Sequence, residues 1–336
     1  MTKKAILIAN LGSPDSTKVS DVRRYLREFL MDELVIDIPS FPRWFLVNGI
    51  IAPFRAPRSA VKYKKIWTDE GSPLIVLTEK LTKKVGVETG FPTYMCMRYG
   101  NPTPDAALSR IARENPEVEE VVLFPLYPHY AMSSYETAVE HVKNTWEKGL
   151  WKFQLKVIAP YYNYPGYIKS LAESIRPHLD EEYEHLLFSY HGVPERHILK
   201  GDITRRHCLQ SLDCCQNSSP AHQKCYRHQV FETTRLVAEY LQLTDKEFSV
   251  SFQSRLGSDK WLGPATADVL AELPSQGVKK LLVVTPAFVS DCLETLEEIQ
   301  MEGQETFLEA GGKSFTAIPC LNLNDGWVET IGELVK

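Results

Sequence analysis

The chain has 336 residues, of which 43% are hydrophobic and 24% charged, and it carries a formal net charge of −5. This is the make-up of a globular protein long enough for two domains of ordinary size. Mild acidity, with no basic recognition helix and no aromatic-basic platform, gives no reason to expect a nucleic-acid partner. No apolar run approaches the ~18 residues of a spanning helix, and the N-terminus lacks a signal-peptide core, so the cytoplasm is the expected location.

In chain order, apolar strand patterns alternate with amphipathic helical ones. Strands are predicted at Ala5–Leu11, Tyr94–Tyr99, Val121–Leu126 and Leu155–Ala159, with helices at Val19–Met31, Leu74–Val87, Asp105–Arg113 and Tyr135–Lys148. The order then restarts, with strands at Leu186–His191, Phe248–Phe252, Lys280–Thr285 and Phe315–Pro319 and helices at Tyr167–Leu179, Gln229–Leu241, Thr266–Leu273 and Asp291–Leu308. Near-continuous apolar strands separated by helices imply parallel sheets covered on both faces. The expectation is an α/β protein of two similar Rossmann-like domains, each a four-stranded parallel sheet flanked by helices. Residues 1–160 form the first and 161–320 the second, with a cleft between them, and residues 321–336 form a C-terminal helix packing back on the first. Neither a G-x-G-x-x-G nor a P-loop signature is present, which argues against a dehydrogenase or an NTPase.

Residues 38–56 are unusually apolar, and Arg43, Arg55, Arg58, Lys62, Lys64 and Lys65 lie in or beside them. The segment is too short to span a bilayer. It suits either a lip lying on an anionic membrane surface, with Trp44, Phe45, Ile50, Ile51 and Phe54 inserted, or a buried helix or lid over a pocket.

Two features carry chemistry. His191 closes an apolar strand and is followed by Gly192-Val193-Pro194, at the strand end where open α/β sheets present ligands. Asp291, Glu294 and Glu298 are spaced to project as one acidic row from a helix, although first-turn acids are also common caps and Glu297, Glu298 and Glu302 suit a solvated face. Separately, Cys208, Cys214, Cys215 and Cys225 fall in the polar stretch 207–228 beside His207, His222 and His228. In a reducing compartment such clustering favours a metal over disulfides, and four thiolates suit either zinc or a [2Fe–2S] cluster. Cys96 and Cys320 are expected to be small buried hydrophobes.

The segments Ser189-Tyr190-His191-Gly192-Val193-Pro194 and Thr285-Pro286-Ala287-Phe288-Val289-Ser290-Asp291-Cys292-Leu293-Glu294 resemble the two signatures of ferrochelatases. Asn10-Leu11-Gly12-Ser13-Pro14, Arg98-Tyr99-Gly100-Asn101-Pro102, Phe124-Pro125-Leu126-Tyr127-Pro128 and Trp261-Leu262-Gly263-Pro264 fall in the family's order across the chain. The resemblance implies the chelatase fold and insertion of Fe²⁺ into a porphyrin, with protoporphyrin IX the expected ring. Release of two protons gives haem, the terminal step of its biosynthesis.

It further implies catalytic roles for His191 and Glu294. Fe²⁺ would follow a path through His191, Asp291, Glu294 and Glu298, and Leu11, Arg98, Tyr99, Tyr127 and Trp261 would contact the porphyrin. Leu11 stands where some members carry Tyr, and Cys292 where some carry His, so those side chains cannot act here as they would there. The cysteine stretch resembles the internal [2Fe–2S] ligand set of some bacterial members, with structural Zn²⁺ the alternative. The lip at 38–56 implies a peripheral position on the inner face of the cell membrane, and a porphyrin-supplying enzyme is an expected partner. A tetrapyrrole carrier without chemistry, a redox or iron sensor, and a cobalt or nickel chelatase for a sirohydrochlorin-type ring are the competing readings.

Overall fold

The computed structural model describes residues 3–179, 183–255 and 259–336. The chain divides into two compact units, one of residues 1–127, 132–159 and 328–336, the other of residues 128–131 and 160–327. The assignment differs from a single cut near residue 160 in placing the four residues Pro128–Ala131 with the second unit.

In the first unit, strands β1 (Lys4–Gly12), β2 (Thr93–Tyr99), β3 (Glu120–Pro125) and β4 (Gln154–Val157) form one sheet in the order β2-β1-β3-β4. In the second, β5 (His185–His191), β6 (Phe248–Gln253), β7 (Lys280–Val284) and β8 (Ser314–Ala317) repeat that order as β6-β5-β7-β8. All pairings are parallel. All eight expected strands form, shifted by a residue or two at their ends, because runs such as Ala5-Ile6-Leu7-Ile8 and Leu186-Leu187-Phe188 bury every side chain in a sheet covered on both faces. One core packs Leu7, Leu108, Ile111 and Leu123, the other Leu187, Leu281, Val283 and Phe307.

The topology fixes where chemistry can sit. In each sheet the chain first steps to one side of the opening strand and then to the other. The gap beyond the carboxyl ends of β1 and β3, or of β5 and β7, is therefore a switch point where ligands bind. Both opening strands run out at glycine. Gly12 has φ +105, and a Cβ there would lie 1.8 Å from the Tyr99 carbonyl oxygen. At Gly192 a Cβ would lie 2.8 Å from the Gln253 carbonyl oxygen and 3.3 Å from the Trp261 ring. Glycine thus lets the neighbouring strand end close against Leu11 in one sheet and His191 in the other.

The lip and the segment after β7 both depart from plain α-helix. The lip is helical from Ser40 onward, as Ser40–Phe45, a π-helical stretch Leu46–Ile51, and Ala52–Ile66. Its buried side is anchored by Val47 against Leu30 and Ile36. Arg43 was expected among the basic residues facing headgroups, but it is buried and donates to the carbonyls of Ile36 (3.1 Å) and Ile38 (3.3 Å). The segment Asp291–Leu308 is not one α-helix: residues Glu294–Gly303 are π-helical, continue as the α-helix Gln304–Glu309, and leave Asp291 outside. Among the described residues, no helix is long and apolar enough to cross a membrane.

Candidate active site at the end of β5

His191 is the last residue of β5, and its Nδ1 lies 2.7 Å from the Gly192 carbonyl oxygen. A carbonyl can only accept, so Nδ1 carries the hydrogen and the neutral ring presents Nε2 as its basic nitrogen. The edge of Phe288, from the loop after β7, approaches the imidazole with centroids 6.2 Å apart. Trp261 flanks the same strand end, through its bridge to Pro194 and its contact with Gly192.

The acids reach this point from the β7 side, but not as an α-helical row. Asp291 is committed elsewhere: it accepts from Asn322 Nδ2 (2.6 Å), Thr295 Oγ1 (3.0 Å) and the Cys320 amide (3.4 Å), while its own amide donates to Asn322 Oδ1 (2.9 Å). It anchors the helix start rather than offering a free carboxylate. Beyond it, the i→i+5 pattern of a π-helix widens each turn, and such stretches are frequent at functional sites. Glu294 and Glu298 both lie on it. Burial raises the Glu298 carboxyl pKa, a hydrogen bond from Ser254 Oγ at 2.6 Å opposes the shift, Glu294 adds to it, and His191 lowers it. His191, Glu294 and Glu298 therefore form one electrostatic unit, in which a proton on Glu298 relieves repulsion from Glu294.

Ser254 holds Glu298 from a left-handed backbone conformation, φ 67, of the kind kept where the surroundings fix a functional group. Next to them is a cavity of about 310 Å³ whose lining includes Gln253, Ser254, Arg255, Asp268, Glu298 and Glu302. Glu297, which suits a solvated face by pattern, is 1% exposed. Ser254 was not singled out from sequence, and Glu302 was read only as part of a solvated face. Glu302 was foreseeable only with a π-helix in mind, and Ser254 gives no local signal.

In the first unit the ring-contact candidates are placed differently from one another. Leu11 is half-buried at the end of β1 and Tyr127 is 9% exposed just after β3. Tyr99 is fully enclosed, and its hydroxyl donates to Asp32 at 2.7 Å, so it is a framework residue and not an open ring contact. Arg98 also binds Asp32 (2.5 Å), and its Nε donates to Thr137 Oγ1 (2.6 Å), whose hydroxyl in turn donates to Asp32. Burial alone would raise the Asp32 carboxyl, but the hydroxyls of Thr137 and Tyr99 and the Arg98 guanidinium outweigh it and hold it below the usual carboxylate range. Nothing in the Met31-Asp32-Glu33 sequence marks Asp32 for this.

The cysteine stretch is organised by Asp202, another residue without a sequence signal. Its carboxylate accepts from the amides of Thr204 (2.8 Å), His207 (2.8 Å) and Cys208 (2.9 Å). The four thiols run as a chain: Cys225 interacts with Cys208 and Cys215, and Cys215 with Cys214. Contact with Cys208 pushes the Cys225 thiol up to about 12. Arg227 Nη1 points at the sulfurs of Cys214 (3.4 Å) and Cys215 (3.3 Å), and the His228 amide at that of Cys225 (3.4 Å). Among the described residues, no three His, Cys, Asp or Glu side chains converge as a ready metal cage. Cys96 is buried as expected, whereas Cys320 is only partly covered, beside Thr285.

Because its folded pKa is raised, Glu298 favours the folded state below the unfolded carboxylate pKa and loses that contribution as pH rises through the folded value. Glu298→Gln is therefore expected to raise the melting temperature at pH 7.5 relative to pH 4.5, compared with the wild type, while lowering activity. Parallel melting curves for the two proteins at both pH values would contradict the coupling.

The ferrochelatase family model matches residues 3–336. Ferrochelatases of Opitutus terrae and Pseudomonas entomophila are each 47% identical, over 100% of this chain and 98% and 99% of theirs. Two solved structures of SirB share the fold at a TM-score of 0.55. One, from Bacillus subtilis with Fe³⁺, is 11% identical and covers 99% of this chain and 96% of its own. The other, a sirohydrochlorin chelatase from Bacillus subtilis subspecies spizizenii in complex with cobalt, is 10% identical, with 99% and 94% covered. At full length and nearly half identity, with a basic imidazole and paired carboxylates at the switch point, this chain belongs to the ferrochelatase family.

Proposed function

We infer that the chain inserts Fe²⁺ into a free-base porphyrin to give haem, with the strand-end imidazole as the proton acceptor. The observation that carries the reading is the His191 Nδ1 hydrogen bond to the Gly192 carbonyl, which leaves Nε2 as the base beside Glu294 and Glu298. A free-base ring holds two pyrrole N–H protons. Both must leave as the four nitrogens take the metal, so one Fe²⁺ enters and two H⁺ depart. His191 Nε2 takes up a pyrrole proton and becomes an imidazolium stabilised by the neighbouring carboxylates. Glu298, with its raised pKa, is suited to hold a proton in transit. Hard carboxylate oxygens at Glu294 and Glu298, and at Glu302, which lines one cavity with Glu298, suit a divalent iron that must be passed on rather than kept.

Leu11, Tyr127 and Trp261 are assigned as ring contacts. Arg98 and Tyr99 support Leu11 through Asp32, since Tyr99 is paired with Gly12 across the β1–β2 ladder next to Leu11. Protoporphyrin IX is the substrate we propose.

For the cysteine stretch, a chain of four neighbouring thiols with Arg227 and an amide directed at their sulfurs supports a [2Fe–2S] cluster, which Cys208, Cys214, Cys215 and Cys225 would hold. Such a cluster would supply a covalent cross-brace and a one-electron redox group. Insertion itself transfers no electron, so none of the steps above involves it.

The lip supports peripheral membrane binding. Phe41, Trp44, Phe45, Ile50 and Phe54 are 76%, 55%, 57%, 47% and 73% exposed, and Arg55, Arg58, Lys64 and Lys65 are exposed beside them. An apolar helical face rimmed by cations suits an anionic bilayer surface.

His191→Ala is expected to lower the iron-insertion rate by about 10²–10⁴-fold while porphyrin still binds, as read by fluorescence titration; wild-type turnover would remove the imidazole from the mechanism. Anaerobically purified protein should contain two iron and two sulfide per chain, with visible absorbance lost in Cys214→Ser. Stoichiometric zinc without sulfide would replace the cluster with a structural metal. Converting Trp44, Phe45, Ile50 and Phe54 to Ser should abolish flotation with phosphatidylglycerol vesicles, whereas equal flotation of both proteins would retire the membrane surface as a partner.

A further inference from the structure

The orientation of His191 is only as firm as the backbone of His191 and Gly192, because the hydrogen bond that selects its tautomer joins neighbours in the chain. On one side that backbone is held by β6, which pairs with β5 as far as His191 and then receives the Gly192 amide at the Gln253 carbonyl, 2.7 Å. On the other side the ladder to β7 stops at Phe188. Beyond it, the helix Tyr226–Leu241 reaches that backbone through the Tyr226 hydroxyl, which donates to the His191 carbonyl at 2.9 Å; the nearby contact of Thr234 Oγ1 with the Tyr190 hydroxyl (2.8 Å) joins two side chains and holds no backbone atom.

Tyr226 is itself tightly set. It is 5% exposed and is the first residue of its helix. The cap is Cys225, whose sulfur accepts the His228 amide. The His129 ring stands edge-on to both Tyr190 and Tyr226, with centroids 5.5 and 5.9 Å away. His129 is fixed in turn: Thr233 gives its hydroxyl proton to the Tyr162 carbonyl (2.7 Å), so His129 Nε2 must be the donor in its 2.9 Å contact with Thr233. Burial lowers the His129 pKa to about 3, keeping the ring neutral.

We propose that Tyr226 is the positioning residue of the reaction: its hydroxyl clamps the His191 carbonyl, so that the imidazole keeps the Nδ1–H tautomer and directs Nε2 at the substrate. The clamp starts at the cysteine that caps the helix, which gives the cysteine stretch a mechanical route to the base. This inference rests on His191 being the proton acceptor.

The test removes one oxygen atom. Tyr226→Phe keeps the ring packing, so the fold is expected to hold by circular dichroism. kcat should fall about tenfold, the amount lost with one hydrogen bond, while KM for porphyrin and for Fe²⁺ changes by less than about twofold. Nitrogen-15 spectra of histidine-labelled protein, with His191 assigned by its loss in His191→Asn, should show a single Nδ1–H tautomer in the wild type and an averaged signal in Tyr226→Phe. Thr234→Val, which removes only the contact one residue earlier, should leave kcat and the His191 signal as in the wild type. Unchanged kcat and tautomer in Tyr226→Phe would overturn the proposal. So would an equal loss in Thr234→Val, which would credit helix packing in general. The tautomer readout is independent of turnover: an altered His191 signal with normal kcat would leave the clamp standing and remove His191 from the chemistry.

Discussion

A hydrogen bond between adjacent residues, His191 Nδ1–H to the Gly192 carbonyl, decides which nitrogen of one imidazole is basic. Its strength as a device comes from the sheet. A parallel strand buried on both faces must end at a fixed point, and Gly192 lets that end press against Gln253 and Trp261 where any side chain would collide. Base, carboxylates and aromatic walls are then supplied by elements that the topology already brings to the same switch point.

The acidic partners are shaped by a different constraint. Stacking carboxylates on one helix face is destabilising, and the second unit contains the repulsion in two ways. Asp291 is engaged by Asn322, Thr295 and the Cys320 amide, becoming the anchor of the helix start. Glu298 is buried, pulled toward its protonated form, and held by Ser254. What remains is a pair whose charge changes with the proton traffic that insertion requires. The same economy appears in the first unit, where Asp32 gathers Arg98, Tyr99 and Thr137 into one network.

The strands and their order could be read from sequence because burial on both faces forces near-continuous apolar runs, and because the two halves repeat one plan. His191 was legible for the same reason, as a polar residue closing such a run. The π-helix was not, since its hydrogen-bond register leaves no compositional mark. An α-helical spacing therefore put Asp291 in a row it does not join and put Glu297 on a solvated face it does not occupy. Framework residues were hidden as well. Asp32, Asp202 and Tyr226 act through partners 67, 6 and 35 positions away in the chain. Arg43 looked like a surface cation until its carbonyl partners were in view. The family motifs pointed to Tyr99 as a ring contact, whereas its side chain is enclosed and bound to Asp32.

The most direct test is a crystal structure with a metal-free porphyrin bound. The account predicts the ring over the end of β5, with His191 Nε2 within about 3 Å of a pyrrole nitrogen and Nδ1 still on the Gly192 carbonyl. A macrocycle seated away from His191, or one met by Nδ1 instead, would contradict it.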